Sequence, residues 1–315
     1  MTTLEYCVVI PAYNRESQIG RTLEAILKQR IPPVEICVVD DGSIDGTADV
    51  AASFGPSVRV VSVSNGGPAS ARRIGIAETS AEWVLPCDSD DVWHAHFIDD
   101  LIGLHQEFPN AGLLFVNFRI LGPNNEVLLA DKLATAPEEW LKYTENNSQH
   151  FDLGKEAYVP LLRFSPIFQS CVAFRRSLYD EIGGIDPVVA RMPAEDAHLT
   201  KRLVAHTQTV GSRRVGVDIH REGDNFSSDF PRIAYGSWWI LRDLCQRQLV
   251  PSRFIEATRQ EIERRAPGVG HLLFAIRDYD SMNDVLKSVP LFQRDWKLQL
   301  KAAIAKAALL FGNGK

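Results

Sequence analysis

Asp88-Ser89-Asp90-Asp91 places three carboxylates within four residues, directly after the apolar run Trp83 to Cys87. Carboxylates this close repel, and each raises its neighbours' pKa unless positive charge sits among them. A divalent cation is the natural neutraliser. All-oxygen ligands select a hard ion, Mg²⁺ or Mn²⁺, which commonly takes one or two carboxylates plus phosphate oxygens and water. The apolar run reads as a buried strand, and open α/β sheets bind ligands beyond the carboxyl ends of their strands. The competing reading is structural: Asp90 or Asp91 caps the helix that follows.

Three more polar clusters follow strand-like runs: Pro11-Ala12-Tyr13-Asn14-Arg15-Glu16, Asp40 to Thr47, and Asn65-Gly66-Gly67-Pro68 through Arg72. A carboxylate such as Asp41 accepts two hydrogen bonds and so can read an N–H on a base edge. Asp, Gly and Ser are equally the common turn residues, and Arg72 reads equally as a solvated helix charge. Farther along, Glu195-Asp196 opens a helix, where an acidic pair also serves as cap and dipole partner. His220 ends a strand. It or Asn225 orders the loop from His220 to Ser227.

The elements that must hold these clusters are legible from periodicity. Apolar strands are expected over Tyr6 to Ile10, Val34 to Val39, Val58 to Val63 and Trp83 to Cys87. Between them lie helical patterns, the first marked by Ile19, Leu23, Ile26 and Leu27 and stopped by Pro32-Pro33. Pro68 falls in a helix's first turn, where proline is tolerated. Strands alternating with helices through residue 108 predict a parallel sheet with helices on both faces. Beyond Gly112, strands are expected at Leu113 to Leu121, Phe168 to Phe174 and Val215 to His220. Pro123 to Pro166 shows no clean period, and the chain from Phe230 onward reads as helical.

The 315 residues carry a net charge of −6 with ordinary soluble composition, which gives no reason to expect nucleic acid as a partner. The N-terminal residues lack signal-peptide character, and no apolar run is long enough to span a bilayer. Five scattered cysteines without metal-site spacing read as reduced, buried thiols. His94, His96 and His105 read as surface positions. These features together give the expectation of a cytoplasmic protein, with peripheral attachment to the inner membrane face as a variant.

In their order and spacing, the four clusters and the later Glu-Asp pair resemble the inverting family 2 glycosyltransferases of the GT-A fold, over roughly residues 4 to 226. The resemblance implies a nucleotide-diphospho-sugar transferase: an α/β, mostly parallel sheet flanked by helices, with a helical C-terminal region. It divides the chain into a catalytic domain over 1–228, with a nucleotide half (1–110) and an acceptor half (111–228), and helices over 229–315. It also assigns roles. Pro11, Tyr13 and Glu16 lie along the nucleoside. Asp41, with Asp40 beside it, accepts a hydrogen bond from the base. Arg72 reaches the base or the phosphates. Asp88-Ser89-Asp90 is the DxD motif, with Asp90 on the metal and Asp88 near the ribose. Asp196, preceded by Glu195, is the catalytic base, and His220 is a second candidate for the metal.

The implied reaction moves a sugar from a nucleoside-diphosphate donor, a UDP-sugar first, to a hydroxyl of a glycan, lipid-linked or other acceptor with inversion, as in polysaccharide or glycoconjugate synthesis. The divalent metal offsets leaving-group charge. Two other readings are kept: a catalytically silent sugar-nucleotide binder, and a nucleotidyltransferase. The absence of a Gly-rich phosphate loop counts against the second. At the C-terminus, Trp296, Leu300, Ile304, Ala307 and Phe311 form one helical stripe with Arg294, Lys297, Lys301 and Lys306 off it. Such a helix packs on the protein or on a second copy in a homodimer, or lies in a membrane interface; its alanines favour packing.

Overall fold

The computed structural model describes residues 4–144, 148–221, 229–289 and 294–311. The chain divides into two compact units: 1–191 with 199–223, and 192–198 with 224–315.

The first unit is built on a mixed sheet. β1 (Tyr6–Ala12), α1 (Ile19–Leu27), β2 (Glu35–Asp40), α2 (Thr47–Ala52), β3 (Arg59–Ser62), α3 (Pro68–Ala77) and β4 (Trp83–Pro86) alternate as the periodicity requires. Then come β5 (Val92–Trp93), α4 (Phe97–Glu107), β6 (Leu113–Leu121), β7 (Val127–Leu129), α5 (Leu141–Thr144), β8 (His150–Gly154), α6 (Tyr158–Arg163), β9 (Val172–Arg175) and α7 (Arg176–Glu181). α8 (Asp196–His206) begins in the second unit and continues in the first, which closes with β10 (Thr209–His220). The strand order is β3-β2-β1-β4-β9-β6-β10-β5. β1 to β4 are mutually parallel, as are β6 and β10, while β9 is antiparallel to both β4 and β6.

One face of this sheet carries the main core, in which Val8, Ile10, Leu85, Leu114 and Val116 meet Ile19 and Leu23 of α1 and Phe97 and Leu101 of α4. On the opposite face α3 lies close to β1. A Cβ on Gly75 would stand 2.4 Å from Val9 Cγ1, so the missing side chain permits the approach. The effect is to stack the carboxyl ends of β1, β2 and β4 beside the first turn of α3.

Several expectations need correction. Phe168 to Phe174 is not one strand: Gln169–Cys171 forms a 3₁₀ turn before β9. The last strand starts at Thr209, six residues earlier than expected. The featureless stretch from Pro123 to Pro166 contains β7, β8, α5 and α6. Neither Asp90 nor Asp91 caps a helix, since α4 begins at Phe97 with His96 at its cap. The three histidines are half-buried, not surface positions: His94 meets Asp218 at 2.7 Å and His105 packs edge-on against Trp83.

The second unit is helical: α9 (Phe230–Gln246), α10 (Ser252–Ala275), α11 (Tyr279–Leu286) and α12 (Trp296–Phe311). Asp229 and Asp278 cap α9 and α11 by accepting from Arg232 and Ser281 amides. α12 packs against α10 and α11, but not through the expected stripe. Leu298 and Ala305 are buried, while Trp296, Leu300 and Ile304 are exposed. Among the described residues no helix is long and apolar enough to cross a membrane.

Candidate active site

The first two clusters are zipped to one another. Beyond β1, Asn14 takes a left-handed φ of 52°. Its amide donates to Ser43 Oγ (2.9 Å) and its side-chain oxygen accepts from the Ile44 amide (3.0 Å). The Arg15 amide donates to Thr47 Oγ1 at 2.7 Å, and Glu16 Oε2 accepts from the Gly46 amide at 3.0 Å. Glu16 is therefore a strut between the loops. Pro11 is buried inside β1, whereas Tyr13 is exposed at the loop's surface.

Asp41 fastens the third cluster to the second. Its two oxygens accept from the Gly66 and Gly67 amides at 2.7 and 2.8 Å. Each oxygen keeps a second acceptor site. Asp40 accepts from the Ser43 amide at 3.2 Å, the turn bond expected of an Asp in such a loop. Gly67 has φ +90°, and a Cβ there would lie 2.5 Å from the Ala190 carbonyl oxygen. Only glycine makes this entry into α3. Arg72, one turn into α3, is buried and its Nη2 meets Asp88 Oδ1 at 2.6 Å. It is not a solvated helix charge.

The acidic loop is held from three sides. From α1, buried Thr22 donates to the Ser89 and Asp91 carbonyl oxygens (3.1 and 2.8 Å), and Arg21 donates to the Asp90 carbonyl oxygen at 3.1 Å. From the 3₁₀ turn, Ser170 Oγ accepts from the Asp88 amide at 2.9 Å and donates to Asp91 Oδ2 at 2.5 Å. From the end of β10, the His220 amide donates to Asp91 Oδ1 at 3.0 Å. Asp91 is thus a buried tie, and burial first, then Asp90 and Asp88, push its carboxyl well above the usual range. Ser170 carried no signal in the sequence, because its role depends on the turn that replaces the expected strand.

Asp90 differs. Its carboxylate reaches toward Arg15 Nε at 3.7 Å. Burial and the neighbouring Asp88 push its carboxyl up to about 6, against the pull of Arg15 and Arg21. A cation at this point would relieve both causes. Among the described residues no three potential ligand side chains gather around one point, so the protein alone offers no closed shell. That suits an ion that completes its coordination with phosphate oxygens and water. His220 is buried at the end of β10, with its amide on Asp91; residues 222–228 after it, including Asn225, lie outside the described residues. Two positions earlier, burial would raise Asp218, but hydrogen bonds from His94 and Arg119 hold it down at about 2.

Glu195 and Asp196 belong to the second unit. Glu195 is buried and Asp196 opens α8. Ala194, just before them, has φ 63°. A non-glycine residue in this conformation stores strain of order 1–3 kcal/mol, and such residues cluster at functional sites.

The profile described as "Glycosyl transferase family 2" matches residues 7–183. Glycosyltransferase GlyG of Streptococcus pneumoniae is 36% identical over 104 residues, covering 32% of this chain and 35% of that protein. An uncharacterized glycosyltransferase of Nostoc is 26% identical over 196 residues, covering 61% of this chain and 57% of its own length. Succinoglycan biosynthesis protein ExoO of Rhizobium meliloti is 44% identical over 85 residues, 26% of this chain and 24% of that protein. The matches thus span from about a quarter to just over half of these relatives. Among solved structures, S. aureus TarS in complex with UDP superposes with a TM-score of 0.65 at 18% identity, covering 96% of this chain and 87% of that one. Mannosyltransferase PcManGT of Pyrobaculum calidifontis, in complex with GDP-Man and Mn²⁺, gives 0.59 at 16% identity, covering 99% and 82%. These two likenesses bear on the fold. With the profile running from β1 to the end of α7, the chain belongs to glycosyl transferase family 2 and has the GT-A fold.

Proposed function

We propose that this chain transfers a sugar from a nucleoside-diphosphate donor, a UDP-sugar first, to an acceptor hydroxyl with inversion, assisted by Mn²⁺ or Mg²⁺. One observation carries the reading. The loops beyond β1, β2 and β3 are fastened to one another, and Arg72 of α3 ties them to an acidic loop beyond β4 whose Asp90 carboxyl is raised to about 6. Support for the donor class comes from solved neighbours whose names carry UDP, UDP-GlcNAc and GDP-Man. Support for a polysaccharide or glycoconjugate product comes from relatives named as chondroitin synthase and as a succinoglycan biosynthesis protein. Family membership sets aside the nucleotidyltransferase reading.

In this proposal the nucleotide half spans 1–110 and the acceptor half 111–228, with helices beyond. Tyr13 stacks on the base, Pro11 and Glu16 shape the loop beneath it, and Asp41 and Asp40 accept from its edge. Arg72 orients Asp88 toward the ribose and Ser89 lends its backbone to the loop. Asp90, with His220 as a second candidate ligand, would hold the cation, which would offset charge on the departing diphosphate. Asp196, positioned by Glu195, takes the proton of the attacking hydroxyl. With a cation held there the diphosphate would leave unprotonated, so no general acid is required of the protein. Calorimetry of UDP and GDP with Mn²⁺ tests the reading. Wild type binds one of them in a metal-dependent manner, and Asp90→Ala reduces that affinity by at least tenfold, about 1.4 kcal/mol. Equal affinity in the variant removes Asp90 from the cation site.

A further inference from the structure

Beside the acidic loop lies a cleft of about 380 Å³ whose lining includes Arg21, Val92, Arg119, Leu121, Val127, Asp218 and His220. That volume lies within the roughly 300–1,000 Å³ of small-molecule sites. The sheet register builds it. Arg119 of β6 is paired with Asp218 of β10, Leu121 with both His220 and Val127, and Asp218 with Val92 of β5. Val92 directly follows Asp91, and Arg21 is the residue whose guanidinium holds the Asp90 carbonyl. The cleft therefore adjoins the loop to which the diphosphate is assigned.

Its chemistry is selective. Arg119 grips Asp218 in a fork, Nε to Oδ1 at 2.5 Å and Nη2 to Oδ2 at 2.8 Å, and His94 Nε2 meets the same Oδ1 at 2.7 Å. The Arg119 side chain is 38% exposed and that of Asp218 12%. Arg119 thus shows donors to the cleft from a fixed fork. Within the fork Asp218 balances Arg119, so the pair offers no net charge to a phosphate or carboxylate ligand. Val92, Leu121 and Val127 supply an apolar strip. Fixed donors and acceptors of balanced charge beside an apolar strip match a neutral pyranose, whose hydroxyls need directional partners and whose C–H face needs an apolar one.

We propose that this cleft seats a neutral pyranose ring, read through Arg119 and Asp218, and so sets which sugar the enzyme accepts. The proposal rests on the glycosyl-transfer reading above. The ring belongs to the donor or to the acceptor, and the test separates the two.

Two variants probe the cleft. Val127→Trp fills it from an exposed position, leaving the Arg119–Asp218 pair untouched, and Arg119→Ala removes the reading donors. In the donor arm, calorimetry with Mg²⁺ compares UDP-N-acetylglucosamine with UDP and GDP-mannose with GDP. In the acceptor arm, saturation-transfer NMR with Mg²⁺ and the bare diphosphate measures binding of methyl glycosides of glucose, galactose and N-acetylglucosamine. Both variants are expected to bind the bare diphosphate within twofold of wild type. A loss of about tenfold confined to the sugar's contribution in the first arm assigns the donor ring, and the same loss in the second arm assigns the acceptor ring. If neither arm moves in either variant while the bare diphosphate still binds, the assignment is overturned and the ion pair is structural only. If wild type binds no nucleoside diphosphate, the glycosyl-transfer reading itself falls, and the cleft assignment with it.

Discussion

Asp88, Asp90 and Asp91 stand within four residues of one another and do different work. Asp91 is buried with both oxygens committed, one to Ser170 Oγ and one to the His220 amide. Asp88 is paired with Arg72. Asp90 makes a long contact to Arg15, with Arg21 also pulling on its carboxylate. The sequence displayed the cluster but not this division of labour, because Ser170 and His220 come from 79 and 129 residues away. Ser170→Ala tests the division. It leaves a buried carboxylate oxygen without its donor, which costs about 1–3 kcal/mol. Urea unfolding should show that loss, and metal-dependent diphosphate affinity should fall as the loop loosens. Unchanged stability and affinity would mean the loop is held from α1 and the His220 amide without Ser170. Asp196→Asn is the complementary test for the proposed base. A base acts on the acceptor's proton in the transition state, so kcat should fall by about 10²–10⁴ while donor affinity stays put. Transfer within a few-fold of wild type would strip Asp196 of the role.

At the scale of elements, legibility tracked burial. β1, β2 and β4 are covered on both faces and are written as unbroken apolar runs, so they were readable. β10 was half read because Gly211, Ser212, Arg213, Arg214 and Gly216 interrupt its pattern. The strand accommodates them with register shifts between Ser212 and Val217 against β6. The 3₁₀ turn at Gln169–Cys171 was invisible, since its residues are as buried as those of the strand after it. The same limit hid the Arg119–Asp218 pair, which is made only by the register of β6 on β10. Gly75 shows how closely one such element is set. Replacing it with valine gains about 0.3 kcal/mol of helix propensity. The new Cβ meets Val9 Cγ1 at 2.4 Å, and overpacking of this kind costs about 1–3 kcal/mol. The clash wins. Gly75→Val should unfold at lower urea and bind diphosphate more weakly, because α3 carries Arg72 and the Gly67 turn. A variant as stable as wild type would show that α3 can slide on β1 without penalty.

For the whole molecule, the acidic loop ties stability to pH and to ligand. Asp90 titrates near 6 in the folded chain against an ordinary 3.8. Between those values the folded state holds a proton that the unfolded state has released. Stability falls with rising pH wherever the native state binds more protons, so this group's contribution declines through that window and is flat on either side. Below about 3.8 both states are protonated and nothing is lost. Above about 6 both are ionised and the cost of holding a charged Asp90 beside Asp88 is complete. Asp90→Asn cannot ionise and escapes that cost. Urea midpoints measured from pH 4 to pH 7.5 should diverge through the window, with the variant the more stable at the upper end. Adding Mn²⁺ with the nucleoside diphosphate at pH 7.5 should then raise the wild-type midpoint by mass action and leave the variant nearly unmoved. Parallel curves for the two proteins across the whole range would show that Asp90 ionises without penalty. The acidic loop would then need no cation to be stable.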